Sequence, residues 1–320
     1  MAVYTEVSDD ALTGFLADYD IGALVAFRGI AEGVENSNYS LRTTGGDFIL
    51  TLYEKRVEPA ELPWFLGLMD HLAEHGITCP RPVHGRDGGA LRHLCGRHAA
   101  ITTFLPGVWP RRVRLEHCAP VGAALAALHL AGAGYAPTRR NALGPEGWAP
   151  LLERSLAGAG EGLPAGLGAD LHAALDRVLA AWPQGLPTGH IHADLFPDNV
   201  FFLAGRLSGL IDFYFAATDI LAYDLAVCLN AWCFEADLSF NVTRARAMCR
   251  AYAALRPLSA AECAALPVLC QGAAIRFALT RLYDWINTPP GALVTRKDPM
   301  EYVRRLRFHL AAGDEHAYGL

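Results

Sequence analysis

The character of the chain changes near Gly107, and that change limits the fold more than any other feature. Before it, apolar runs bounded by turn residues read as strands: Ala23–Ile30, Ser37–Thr43, Phe48–Tyr53 and Ala99–Phe104, with Thr44-Gly45-Gly46-Asp47 as a turn. Ser8 followed by Asp9 and Asp10 predicts a capped helix through Leu16, and Pro59–His75 carries a helical period ending before Gly76. After Leu105-Pro106-Gly107 helical periods dominate, at 120–130, 148–156, 167–182, 224–234, 242–255, 260–285 (with a possible break) and 300–311. One non-helical block interrupts them, Gly189–Tyr214, with short strands at Val200–Leu203 and Leu207–Ile211. The pattern predicts an α+β chain: a small antiparallel β-sheet lobe over 1–105 and a larger, mainly helical lobe over 106–320. A hinge at 102–107 predicts a ligand cleft between them.

Composition narrows the function classes. The formal net charge is −6, which argues against nucleic-acid binding by bulk electrostatics. The stretch 117–138 has no Asp, Glu, Lys or Arg, but its uninterrupted part is short for a span, so a buried helix is expected and no membrane partner. The eight cysteines form no CxxC pair and mostly sit in apolar runs, as buried free thiols in a reduced, cytoplasmic compartment would. Lys55 and Lys297 are the only lysines, so a mechanism that needs an ammonium has few candidates.

The block His190-Ile191-His192-Ala193-Asp194-Leu195-Phe196-Pro197-Asp198-Asn199 carries the chemistry. His192-x-Asp194-x-x-x-x-Asn199 has the spacing of a phosphotransferase catalytic loop, and Asp212 closes an apolar strand thirteen residues after Asn199. Phosphoryl transfer needs a positioned hydroxyl, a carboxylate to take its proton and a divalent cation to offset phosphate charge. Asp194 is the candidate for the proton, and His192 for bracing the loop. Asn199 and Asp212 are hard oxygen donors suited to Mg²⁺. Taken singly, Asp and Asn in so turn-rich a stretch are ordinary turn residues; it is their order along the chain that points to catalysis.

These motifs, with the two-lobed layout, resemble the aminoglycoside-phosphotransferase-like kinases, which have a bilobal protein-kinase-like fold with ATP in the cleft. Ala123–Leu130, Asn38–Tyr53 and His75–Pro80 resemble further family segments. Several stretches are most similar to the homoserine kinases of that family: Phe48–Lys55, Glu61–Gly76, Arg139–Trp148, Phe213–Phe234 and the catalytic loop. The resemblance implies ATP- and Mg²⁺-dependent phosphorylation of the side-chain hydroxyl of L-homoserine, a step toward threonine. It also implies a Lys or Arg for the α/β-phosphates in the strand Phe48–Tyr53, where the aligned residue is Thr51. Lys55 shares a strand face with Thr51 and is the candidate, with Arg42 as rival and Glu61 as its ion-pair partner. Ser37, in the loop that would cover the phosphates, is a further ATP candidate. Thr102, Thr103, Phe104 and Leu105 stand where adenine would be read by backbone hydrogen bonds.

A zwitterionic amino acid needs an Arg for its carboxylate and an acid or aromatic face for its ammonium. Arg139, Arg140, Asn141, Arg276 and Arg281 are candidates for the first role, and Asp198, Asp219, Tyr223 and Trp232 for the second. Asp224, at the start of a helix, is expected to cap it and brace the catalytic loop. Residues 225–320 carry ten Arg and one Lys against four Asp and four Glu, which disfavours a polycationic acceptor. Choline or ethanolamine, caged by Trp232 and Trp285, stays open as an acceptor, as does a pseudokinase-like protein that binds nucleotide without turnover. The sequence does not fix the oligomeric state.

Overall fold

The Ser8 hydroxyl accepts from Ala11 N–H at 3.2 Å and opens α1 (Asp9–Leu16), as the Ser-Asp-Asp signal predicts. The computed structural model describes residues 4–30, 36–54, 58–158, 163–288 and 296–320. These fall into two compact units, one of residues 1–107 with 208–214, the other of 108–207 with 215–320. The return of 208–214 to the first unit has no signature in the hydrophobic pattern.

In the first unit, α1 is followed by β1 (Leu24–Gly29), β2 (Ser37–Thr43), β3 (Gly46–Tyr53), α2 (Leu62–Glu74), β4 (Arg92–Leu94) and β5 (Arg97–Thr103). The strands form one antiparallel sheet in the order β1-β2-β3-β5-β4. β4, an Arg-His-Leu triplet too short and polar to show a period, escaped the sequence reading. β3 is central, and its last four residues are all buried, so both its faces are covered. Leu50 and Leu52 join Leu12, Phe15 and Leu16 of α1 in one core. Thr51 and Tyr53 take the other face, where Tyr53 and Phe65 of α2 each pack edge-on against Tyr214.

The second unit begins with α3 (Leu115–Gly132), α4 (Pro145–Gly158) and α5 (Leu167–Ala180). Then come β6 (Thr188–Ile191), β7 (Val200–Leu203), β8 (Arg206–Leu210), β9 (Ala217–Ile220) and α6 (Leu221–Trp232). It closes with α7 (Val242–Leu255), α8 (Ala260–Asn287) and α9 (Pro299–Ala311). β6 pairs antiparallel with β9, and β7 pairs with β8; the boundary between the units falls inside β8. α3 starts five residues before Pro120 and carries that proline within the helix. A Cβ on Gly122 would collide with the Met248 carbonyl oxygen, so only glycine lets α3 approach α7 this closely. The suspected break in α8 is absent: Pro267 sits inside a continuous helix opened by a Ser259/Glu262 capping box. Among the described residues α8 is the one helix long and apolar enough to cross a membrane, yet 72% of its apolar window is buried within the protein, as in a core helix. All eight cysteines are free thiols; Cys95 is exposed, against the expectation of burial, because it occupies the β4–β5 turn.

Candidate active site

The loop after β6 is held from below by one carboxylate. Asp224, in the first turn of α6 and fully buried, accepts the His192 N–H at 2.7 Å and the Ala193 N–H at 2.8 Å on its two oxygens. It braces the loop as expected, but it does not cap α6, whose N-cap residue is Ile220. His129 of α3 lies 3.1 Å from the same carboxylate through Nε2 and 2.8 Å from the Tyr252 hydroxyl through Nδ1. Tyr252 accepts from Arg256, which is ion-paired to Glu262 at 2.8 Å. Burial pushes the Asp224 carboxyl up, but the His129 bond, the His129 and His192 rings and the His192 N–H outweigh it and hold the group below the usual carboxylate range.

Above this brace the loop turns sharply. Ala193 has φ 62, and its carbonyl accepts from the buried Arg276 guanidinium. Trp232 Nε1–H donates to Leu195 O at 2.7 Å. His192 Nδ1 is 3.3 Å from the Asp194 N–H, so the histidine braces the loop locally. The Asn199 amide nitrogen donates to Asp194 O at 2.8 Å and to Asp194 Oδ2 at 3.1 Å. That fixes the amide orientation and leaves Asn199 Oδ1 as the atom offered elsewhere.

Asp212 belongs to the first unit and follows β8 with φ 64, a left-handed conformation that Asp tolerates better than most residues. Phe213 behind it is buried. Two residues on, Tyr214 places its hydroxyl 2.9 Å from Tyr53 OH. Burial pushes the Tyr214 phenol up to about 12, so the pair is neutral. Thr51, where the resemblance puts a cation, is buried and donates to Asn38 Oδ1 at 2.8 Å. Thr51 and Tyr53 therefore bring no charge to this buried end of β3. Lys55 lies outside the described residues. Its rival Arg42 is committed to a surface ion pair with Asp47 at 2.7 Å. Glu61 is the N-cap residue of α2.

Several candidate residues have other roles. Ser37 is fully buried: its hydroxyl accepts from Tyr4 and Thr5 N–H and donates to Glu54 Oε1 at 2.6 Å, so it pins the N-terminal segment and has no capacity left for phosphate. Arg139 Nη1 donates to Ala216 O and Asn141 Nδ2 to Asp219 Oδ2, which ties this segment and Asp219 to β9 instead of to a ligand. Tyr223 and Trp232 are fully buried in the core beneath the loop, and Arg276 is spent on Ala193, so none of the three is open to substrate. Thr103 N–H and Phe104 N–H are taken by Arg81 O and Asp47 O, and Thr102 pairs with Ile49. Of this stretch, the Leu105 N–H meets no backbone acceptor among the described residues.

Asp198 and Arg281, by contrast, line one cavity of about 310 Å³ within the second unit, beside Phe196 and Pro197 of the catalytic loop. Arg111, Lys297 and Arg305 line it as well, and the sequence reading named none of these for substrate. The basic excess of residues 225–320 is the sequence signal for Arg305 and Lys297; Arg111 lies outside it and has none. A cavity of about 440 Å³ near Tyr19 and Arg86 in the first unit holds none of the candidate residues.

An antiparallel five-stranded unit, a mainly helical unit and a braced His-x-Asp-x-x-x-x-Asn loop define a phosphotransferase of the protein-kinase-like class. The chain matches the phosphotransferase enzyme family model (APH) over residues 26–258, and it belongs to that family. It is 73% identical over 320 residues, covering both chains entirely, to a homoserine kinase of Granulibacter bethesdensis. To a homoserine kinase of Acidiphilium cryptum it is 70% identical, again over the whole of both chains. Among solved structures, an amicoumacin kinase in complex with AMP-PNP and Ca²⁺ is similar with a TM-score of 0.72 at 15% identity, covering 97% of this chain and 96% of that one.

Proposed function

We propose that this chain is an ATP-dependent kinase that phosphorylates the side-chain hydroxyl of L-homoserine to O-phospho-L-homoserine, on the way to threonine. The observation that carries the acceptor is full-length identity of 73% to a homoserine kinase. The chemistry rests on the braced loop. Asp194 accepts the proton as the homoserine oxygen bonds to the γ-phosphorus, the bond from that phosphorus to the β,γ-bridging oxygen breaks, and ADP leaves. Asn199 limits the freedom of the Asp194 carboxylate through its 3.1 Å bond, and Asp224 holds the backbone on which Asp194 sits.

The donor set suits Mg²⁺: a neutral amide oxygen at Asn199, whose orientation is fixed by Asp194, and an anionic oxygen at Asp212. When bound, the cation offsets phosphate charge. On this reading the unit of residues 1–107 with 208–214, expected as 1–105, is the nucleotide lobe and that of 108–207 with 215–320, expected as 106–320, the catalytic lobe; the Leu105 N–H is offered to the adenine, and Lys55, paired with Glu61, holds the α/β-phosphates. The enzyme acts in the cytoplasm on a small amino acid.

Choline and ethanolamine are disfavoured. Trp232 is buried with its N–H on Leu195, and the Arg296 guanidinium already lies 4.9 Å from the Trp285 ring centroid. An ADP-release assay with L-homoserine, choline, L-serine and kanamycin tests the reading. Release with homoserine alone is expected; none with homoserine at millimolar concentration overturns it.

A further inference from the structure

The cavity beside the catalytic loop is unbalanced in charge. Arg111, Arg281, Lys297 and Arg305 line it against a single acid, Asp198. Arg281 is neutralised by Glu301 at 2.7 Å, and Lys297 stands 3.7 Å from Asp198. Arg305 has no such partner among the described residues. It donates to a neutral carbonyl, Asn230 O, at 2.7 Å, lies 4.5 Å from the Tyr302 ring centroid, and buries an Nε–H that meets no acceptor. A half-buried guanidinium with an unused donor, opening on a cavity, is incomplete without an anion. Arg111, exposed, makes no ion pair among the described residues either.

We infer that this cavity is the amino-acid recognition site, with Arg305, Arg111 and Lys297 taking the substrate carboxylate and Asp198 taking the ammonium in exchange for Lys297. The inference rests on the homoserine reading and adds to it the groups that distinguish an amino acid from an amino alcohol. Asp198 immediately precedes Asn199 and lies four residues after Asp194, so the residue that anchors the zwitterion shares a loop with the proposed base. The carboxylate is thus the feature the enzyme selects. An acceptor without it leaves Arg305 and Arg111 as they are, uncompensated, and forfeits two charge-assisted hydrogen bonds.

3-Aminopropan-1-ol is homoserine with the carboxylate replaced by hydrogen, and it isolates this term. Wild-type enzyme is expected to prefer homoserine by roughly 10²–10⁴-fold in kcat/KM. Arg305→Gln, and separately Arg111→Gln and Lys297→Gln, are each expected to lower kcat/KM for homoserine by about 10-fold or more. They should act chiefly through the KM for homoserine and leave the KM for ATP in place, so the preference over aminopropanol collapses. Arg111 and Lys297 are surface-reaching, so their variants keep the test open if Arg305→Gln does not fold. Homoserine turnover with wild-type selectivity in a folded Arg111→Gln/Lys297→Gln double variant overturns the inference. Wild-type enzyme that releases no ADP with homoserine overturns the parent reading as well, which separates the two failures.

Discussion

Asp224 accepts two consecutive backbone N–H groups and one imidazole, and it is the residue on which the geometry of the catalytic loop depends. It was expected to cap its helix; what the periodicity of α6 could not show is that the first turn of the helix faces a loop thirty residues upstream in the chain. Asp194, in contrast, is singled out by the His-x-Asp-x-x-x-x-Asn spacing, which puts the proposed base and the amide on one loop. Asp194→Asn is expected to lower kcat by roughly 10²–10⁴-fold with ATP affinity retained, since the amide keeps the contacts and loses the basicity. Near-wild-type turnover would remove Asp194 from the role of base. A second titrating residue lies deep in the same unit. His309 is fully buried, 3.1 Å from Asn230 Oδ1 and 2.9 Å from Tyr318 OH, and the Asn230 amide nitrogen is already donating to Ala226 O and Cys270 O. Its Nε2 therefore carries the proton and the ring is neutral. Burial, aided by the Arg305 charge, lowers its pKa from 6.5 to about 3. The unfolded chain binds the proton more readily, so this contribution to stability is complete above pH 6.5 and is lost as pH falls toward 3. Thermal midpoints measured across that window should fall with acidity, and fall less steeply in His309→Gln.

At the scale of elements, the long periodic helices were readable, as were the apolar strands β7 and, within a residue, β8, but β4, β6 and β9 were not. β6 and β9 are four residues each, and their pairing joins segments separated by the whole catalytic loop. Hydrophobic period carries no information about such partners. Two differences in the helices fall at prolines: α3 begins five residues before Pro120, where the helix was expected to start, and α8 runs through Pro267 without the possible break. Packing against neighbouring helices outweighs the lost hydrogen bond in each case. The α8 start is different, because Ser259 and Glu262 satisfy one another's backbone N–H and Glu262 also holds Arg256 at the end of the chain of contacts leading to Asp224. Ser259→Ala is expected to cost about 0.5–2 kcal/mol in urea unfolding. A midpoint equal to that of the wild type would show that the cap carries no weight there.

For the molecule as a whole, the sequence made the α+β architecture, the family and the catalytic loop legible. Of the cavity proposed for the amino acid, Asp198 and Arg281 were among the candidates, whereas Arg111 and the Lys297–Arg305 stretch are brought to it only by tertiary folding. Arg139, Asn141, Tyr223 and Trp232 looked equally suitable because residue type cannot distinguish a polar group facing a ligand from one spent on the backbone. The metal reading makes a demand on the intact enzyme. Asp212→Asn keeps a side chain that tolerates the left-handed backbone while removing the charge. Turnover should then be lost at ordinary Mg²⁺ and recover only in part at high Mg²⁺ or Mn²⁺, whereas homoserine affinity should change little. Full activity in this variant would move the anionic ligand elsewhere.

The placement of Lys297 has a practical consequence for following the enzyme in solution. Apart from the chain's first residue, an acylating reagent finds two amines, Lys55 and Lys297, and one of them stands in the cavity beside Asp198. Mass spectrometry of the labelled chain therefore becomes a two-channel gauge of occupancy. Added homoserine should slow acylation of Lys297 in proportion to saturation, and nucleotide should slow that of Lys55. The two half-saturation points, read from one digest, would report acceptor and ATP binding separately without any turnover.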